Sequence, residues 1–369
     1  IQDVHGFAKA EEKNMSDTKT FERQAAALKD PLDIVSASPH DCGITAPTLE
    51  FKMSDGFTEL LHQFNITLFI TREYENLVIA LNPEKNGIRQ SFFPLPHPSG
   101  IAVDRHTNKL YVAATRNPNQ LIEFKITKGE IQREENTNKF HSDLFLIPSR
   151  VKYYPGAYYF HDLAFIGKSL YANSVGMNAV MKIDFSNSEP EQLTWRPKCV
   201  EEKTRRPNTR ANYIQLNSIA AGSSLENSYF SASGSTVSSV QPGHLNYPVD
   251  KKGVIFSGKT RDVSARGLTR PHSARLYKNK LWIANSGYGE FGYIEKEKFI
   301  PIIKLPGWTR GLFIHKDVAF VGVSRIIPRF KQYAPGIKNN KIICGVYAVS
   351  LKTNKIVGVV TWRYGNQIF

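Results

Sequence analysis

Long apolar runs are missing from this sequence: nothing in it approaches the ~18–20 consecutive apolar residues of a membrane-crossing helix. Cysteine is scarce as well. Cys42, Cys199 and Cys344 are too few and too scattered for a disulfide framework. Cys344 sits inside the apolar run IICGVYAV and reads as a buried thiol, which favours a reducing compartment and so a cytoplasmic location. The chain opens on Ile1, so a missing signal peptide at this end says nothing about a precursor. The common phosphate and protease motifs are also absent. There is no P-loop, no GxGxxG opening a helix, no GxSxG elbow, no HExxH and no paired CxxC, which disfavours nucleotide-dependent and zincin chemistry. Negative charge is in short supply: 33 Asp and Glu stand against 48 Lys and Arg, a net +15. The basic residues are spread through turns, densest at Lys198–Arg210, so a solvated basic surface and a polyanion-binding face both stay open.

What is present is a repeat. From Arg270 to Arg325 the chain reads as short apolar strands joined by polar turns, and then the pattern restarts. Gly100, His161, Asn217, His272 and Arg310 each precede an apolar tetrad (IAVD, DLAF, SIAA, SARL, GLFI), a turn and an aromatic-containing second strand. The nearest pair is HDLAFIGKSLYANSVG and HSARLYKNKLWIANSGYG, with Leu and an aromatic nine and ten residues after the histidine in both. Repeats of four short strands imply a radial β architecture, because one such sheet cannot cover both of its faces. Five anchors, with a sixth copy starting at Asn366-Gln367-Ile368-Phe369, predict an all-β, six-bladed β-propeller. Seven blades and a β-sandwich remain alternatives. Three strands between Ile66 and Phe93 lack an inner partner, and the segment after Arg363 lacks outer ones. The ring is therefore expected to close by pairing the C-terminal strand with the first N-terminal strands. The predicted organisation is a partly helical N-terminal extension over 1–54, with a helix from Thr18 or Thr20 to Leu28, and a single propeller over 55–369. GFTELLHQF (56–64) has helical spacing and reads as an amphipathic helix leading into it. Two NxS/T sequons, at Asn14 and Asn65, carry weight only in a secretory context.

In a propeller the residues that open the inner strands converge on the central channel. His161, Asp162, Asn217, His272, Arg310 and Gln367 are therefore expected around one axial space. Two imidazoles with an amide or carboxylate oxygen make His161 and His272 candidate ligands of a divalent metal. The same set equally suits a hydrogen-bonding floor for a polar ligand, or imidazoles that bridge blades. Trp308 and Arg310 in PGWTRG suggest an aromatic and cationic lip, or blade packing. Asn173 and Asn285 suit turn chemistry. Tyr153, Tyr154, Tyr158 and Tyr159 form either a platform or a packed strand. Insertions over Thr127–Tyr159, Ser186–Asn212, Gly234–Gly253 and Arg325–Lys341 are expected to wall a cleft over the channel.

NITLFITREYENLVIALNP, PSGIAVDRHTNKLYVAATRNPNQLIEF, HDLAF, RPHSAR, SGYGEFG and GWTRG, spread over Phe57–Phe369, resemble an uncharacterised bacterial propeller-like family of unknown function. The resemblance implies a link to glycan assembly, because members often occur near glycosyltransferase or sulfotransferase genes. It implies no secure reaction. At Tyr213–Asn217 (YIQLN) Gln215 stands where a histidine commonly precedes Leu-Asn, which weakens a three-histidine metal site. Three functional expectations follow. One is a propeller that binds a saccharide, peptide or other polar small molecule, accessory to biosynthesis or assembly. Another is a metal-dependent lyase or hydrolase at the channel mouth. The third is a structural subunit with protein partners.

Overall fold

Strands alternate with tight polar turns from Leu68 to Trp362, and each set of neighbours folds back on itself before the chain moves on. The structure, a computed structural model, describes residues 46–369 apart from 86, 117–118, 129–143, 155–157, 188–192, 202–210, 245, 327, 339–343, 366–367 and 369. The expected helix before Leu28, the sequon at Asn14 and the basic residues Arg205, Arg206 and Arg210 lie outside the described residues.

Six antiparallel sheets follow one another in chain order. The first has three strands, Leu68–Arg72, Leu77–Glu84 and Gly87–Pro94. The second to fifth have four each, with inner strands Pro98–Asp104, Phe160–Ile166, Leu216–Ala220 and Pro271–Tyr277. The sixth begins at Trp308–His315 and carries Val318–Ser324, Cys344–Ser350 and Ile356–Trp362. This is the six-bladed propeller that the repeat predicts.

The core is a set of seams between adjacent blades rather than one centre. Phe124, Val78 and Leu110 fill the seam between the first and second blades. Phe160, Leu121 and Met181 fill the next, and Phe230, Trp195 and Val180 the one after. Ile255, Ile283 and Ala274 join the fourth and fifth blades; Phe291, Val321 and Val323 join the fifth and sixth. The last seam, between the sixth and first blades, also takes in the helix Asp55–Phe64. Ser54 caps that helix, accepting the Phe57 N–H, and Phe57 and Leu61 on its inner face are fully buried. Two such side chains contribute about 1.5–3 kcal/mol each through removal from water. Phe57 meets Phe320 edge-on, with centroids 5.7 Å apart.

Ring closure is achieved by an N-terminal strand on the C-terminal one. Phe51–Met53 pairs with the outermost strand of the sixth blade, Phe51 opposite Trp362 and Met53 opposite Val360. The strands between Ile66 and Phe93, expected as partners of the terminal tail, form the first sheet by themselves among the described residues. The tail reaches that blade through Arg72, whose Nη2 donates to the Tyr364 carbonyl at 2.6 Å.

A belt of side-chain hydrogen bonds joins each blade to the next at the level where the inner strands begin. Thr71 donates to the Ser99 carbonyl, Ser99 to Phe160, and Asn173 to Leu216. Asn217 donates to Pro271, Ser286 to Thr309, and Ser324 to Ile368. All six donors are buried. Each satisfies a backbone oxygen, and a buried orphan there would cost about 1–3 kcal/mol. Asn173 and Asn285 of the matching Ala-Asn-Ser segments thus hold backbone: Asn173 also accepts the Asp162 N–H, and Asn285 accepts the Thr269 N–H.

Candidate functional site

The turn before each inner strand sets where the anchors point. His97, Tyr159, Gln215 and Arg270 all adopt a left-handed backbone, with φ between 42° and 51°. That conformation is uncommon for bulky residues, and its recurrence marks one repeated turn. The residue two places on from each is Ser99, His161, Asn217 and His272. The counterpart of His161 in the second blade is therefore Ser99 and not Gly100, a one-residue correction to the sequence register. Gly100 has its own reason to be glycine: a Cβ there would lie 2.6 Å from the Asp162 Cα of the next blade.

The anchors converge as expected. His161, Asp162, Asn217, His272 and Arg310 line one channel cavity of about 500 Å³. Its floor is polar and sits at the starts of the inner strands. Its wall is apolar, built by Ile66, Phe69, Ile101, Val103, Leu312 and Phe313. Its mouth lies at the ends of the inner strands, where Val103 is 45% exposed, Phe313 38% exposed, and Arg105 exposed. The insertions were expected to wall this mouth. Where they are described, they do otherwise. Tyr247 and Tyr333, from Gly234–Gly253 and Arg325–Lys341, are buried at the opposite end, Tyr333 beneath the Arg270 guanidinium at 4.2 Å. Much of Thr127–Tyr159 is the outer strand Leu144–Tyr154, paired along Asn119–Lys128. Tyr154 and Tyr158 pack on Phe160 within a blade seam, whereas Tyr153 points to solvent.

At the floor the two imidazoles lie side by side, ring centroids 6.2 Å apart and planes inclined by 29°. His272 Nδ1 lies 2.8 Å from the Arg270 carbonyl and 2.9 Å from Ser286 Oγ. A carbonyl only accepts, so Nδ1 carries the proton. Nε2 is left as a lone-pair acceptor without a protein partner among the described residues. Burial, followed by the nearby Arg310, His161 and Arg270, holds His272 well below the ordinary imidazole value of 6.5, so the ring is neutral at neutral pH. His161 is lowered in the same way, first by burial and then by Arg310, whose Nη2 is 3.2 Å from its Nδ1.

Charge at the floor is unbalanced. Arg310, 4% exposed, lies 3.7 Å from the Glu73 carboxylate, which also accepts from Thr115 and sits 3.5 Å from Arg116. Burial alone would raise Glu73, but Arg116 and Arg310 hold its carboxyl at about 2. Arg270 is 5% exposed, and its Nε and Nη1 have no acceptor among the described residues. Among the described residues, two guanidiniums, Arg116 and Arg310, thus face the Glu73 carboxylate, with Arg270 buried nearby. Asp162 does not redress this, because both of its oxygens are engaged by Arg275, and it also accepts the Leu163 and Ile219 N–H groups. Asn217 Nδ2 belongs to the inter-blade belt. Trp308 is not at a lip: it is 4% exposed, outside the cavity, with its ring against His272 at 5.7 Å. Gln367 lies outside the described residues.

The arrangement does not fit the metal expected at His161 and His272. No group of three His, Cys, Asp or Glu side chains comes together among the described residues. A guanidinium touches one of the two imidazoles, and the surrounding positive charge opposes a cation. The same charge favours an anion. Glu73, Arg116 and Arg270 were not foreseen. The signal was present in the turns, because Arg72-Glu73 and Arg116 follow second strands and Arg270 precedes an anchor.

No curated protein matches the chain. Among solved structures, the nidogen/laminin complex aligns with 9% identity, 79% coverage of this chain, 92% of that one and a TM-score of 0.51, a likeness of fold alone. Virginiamycin B lyase from Staphylococcus aureus aligns at 12% identity over 85% and 99% with a TM-score of 0.42. A gluconolactonase from Xanthomonas campestris aligns at 9% over 73% and 77% with a TM-score of 0.45. No helix among the described residues is long and apolar enough to cross a membrane. The model of a domain of unknown function, DUF4915, matches residues 55–369, and the chain belongs to that family.

Proposed function

We propose that this propeller binds a small organic anion in its channel, with the acidic group seated on Arg310, as an accessory to the biosynthesis or assembly of a glycan or other polar product. One observation carries the reading: Arg310, in a floor whose charged groups among the described residues are net positive, lines an open cavity. A carboxylate, sulfate or phosphate there would accept charged hydrogen bonds from it, and bonds of this kind are the strong ones. A protonated acid or a hydroxyl on the ligand suits Nε2. Six-bladed propellers offer this axial space for many purposes, so the argument rests on the site and not on the fold. A metal-dependent lyase or hydrolase is the weaker reading, since the donor set is cationic. A lyase without a metal has one observation in its favour, because His272 Nε2 beside Arg310 is the pairing needed to remove a proton next to a carboxylate.

Thermal denaturation with matched pairs of ligands tests the proposal: carboxylates, sulfates and phosphates against their neutral amide or alcohol counterparts. At a hundredfold excess over Kd a bound anion stabilises by about 2.7 kcal/mol, a rise of several degrees. The neutral counterparts should give little. Arg310→Gln should abolish the rise, as should Arg310→Met if Arg310→Gln fails to fold. Equal stabilisation by acid and amide, or none by any anion, would overturn the reading.

A further inference from the structure

The floor explains one end of a ligand. The remainder of the cavity is of another character. From Gly311 to His315 the inner strand of the sixth blade climbs about 13 Å, at ~3.3 Å per residue, from the polar floor to the mouth. Along that climb the wall is Ile66, Phe69, Ile101, Leu312 and then Val103 and Phe313. These residues come from three blades, the first, second and sixth, and line one space. Val103 and Phe313 remain 45% and 38% exposed although each sits on an inner strand that could have carried a polar residue. Apart from the floor, the polar groups lining the cavity are Arg275, tied bidentately to Asp162, and Thr67, Arg105 and His315. A sugar ring would leave those of its hydroxyls that face the six apolar residues without partners, and each buried hydroxyl so placed is costly. An apolar chain or ring would instead cover it.

We infer that the ligand is an amphipathic acid, a molecule whose carboxylate, sulfate or phosphate head sits on Arg310 and whose alkyl or aryl body lies against Ile66, Phe69, Ile101, Val103, Leu312 and Phe313. This rests on the anion reading above and narrows it. A cavity of about 500 Å³ lies within the ~300–1,000 Å³ range of small-molecule sites. The length of the wall sets the size of the body at a medium chain or a single substituted ring. Arg105, exposed beside Val103 at the mouth, offers a second cation to a ligand that is acidic at both ends.

Isothermal titration of the whole chain with butanoate, hexanoate and octanoate, and with octanol and glucuronate, separates the two claims. The amphipathic reading predicts that affinity rises about fourfold per added methylene. It predicts octanol and glucuronate each at least about tenfold weaker than octanoate, the first for want of charge and the second for want of an apolar body. Val103→Ser and Phe313→Ser, at part-exposed positions, should each flatten the chain-length dependence, with the largest loss for octanoate. If affinity does not depend on chain length while glucuronate binds as well as octanoate, the amphipathic inference fails and the anion site stands. If octanol matches octanoate, the anion site itself fails. If no acid binds, both fail. A chain-length dependence untouched by either serine variant places the binding outside the channel and overturns the inference as well.

Discussion

Arg72→Met removes the side chain that joins both ends of the propeller. The guanidinium is fully buried. Its Nη1 donates to the Thr48 carbonyl at 2.7 Å and its Nη2 to the Tyr364 carbonyl at 2.6 Å. Its Nε lies 3.4 Å from Glu75, which is 9% exposed, and the group is 5.7 Å from the Trp362 ring. Methionine conserves most of the volume and none of the donors. The Glu75 carboxylate then loses one buried cation at 3.4 Å, and breaking such a pair usually costs about 3–5 kcal/mol. The two carbonyls add a share of the ~1–3 kcal/mol that an orphaned buried acceptor costs, less than additively. We expect a loss of about 4–5 kcal/mol, a large fraction of the ~5–15 kcal/mol that holds a protein folded. Urea denaturation reads it as a fall in the midpoint. As a control, Lys278→Ala breaks an ion pair whose partners are 63% and 38% exposed, and should cost under about 1 kcal/mol. A loss below about 1 kcal/mol for Arg72→Met would refute the view that closure of the ring depends on this residue.

Three further outcomes follow from the same geometry. The depressed His272 means that the unfolded chain binds a proton below pH 6.5 that the folded one refuses, so stability should fall as pH drops from 6.5 toward 4.5, by up to about 1.4 kcal/mol per unit, with His161 adding to it. Glu73 contributes only below that window, since its folded value is about 2 against 4.5, and urea midpoints of wild type and His272→Gln across the window decide the matter: equal slopes would remove the buried neutral imidazole from the account. Asn173→Ala should cost about 2–3 kcal/mol by stranding the Asp162 N–H and the Leu216 carbonyl, whereas Tyr153→Ser, at a position 65% exposed, should stay within about 0.5 kcal/mol; thermal melts that fail to separate the two would discount the inter-blade belt. If the +15 charge serves a polyanion, heparin retention should decline steeply with salt, less so after Arg205, Arg206 and Arg210 are changed to Gln, and no retention at ~50 mM salt leaves the charge without a binding role.

The blade pattern was legible because a strand announces itself locally: period-two apolar residues between polar turns, repeated with the same aromatic second strand. The convergence of His161, Asn217, His272 and Arg310 followed from repetition alone, since equivalent positions in a ring share its axis. Side-chain partnership was not legible. Asp162 looked like a free carboxylate until Arg275, 113 residues away, was placed on it. Trp308 looked like a lip residue, and only the path of the chain through Tyr333 shows that it is walled in. Glu73 and Arg270 carry much of the floor's electrostatics, yet each sits in a turn where a charged residue is ordinary. The one-residue slip at Gly100 arose because a bulge interrupts pairing between Pro98 and Ile101, which apolar periodicity does not report. The closing strand Phe51–Met53 is three residues long, too short for any periodicity.

The central claim is that an acid enters the channel head first. A crystal structure of the complex with an ω-bromoalkanoate tests it directly, with the bromine located by anomalous scattering. The account predicts the carboxylate in contact with Arg310 and the bromine out along the wall near Val103 and Phe313. A carboxylate at the mouth on Arg105 with the bromine buried at the floor, or an acid bound elsewhere on the protein, would contradict it.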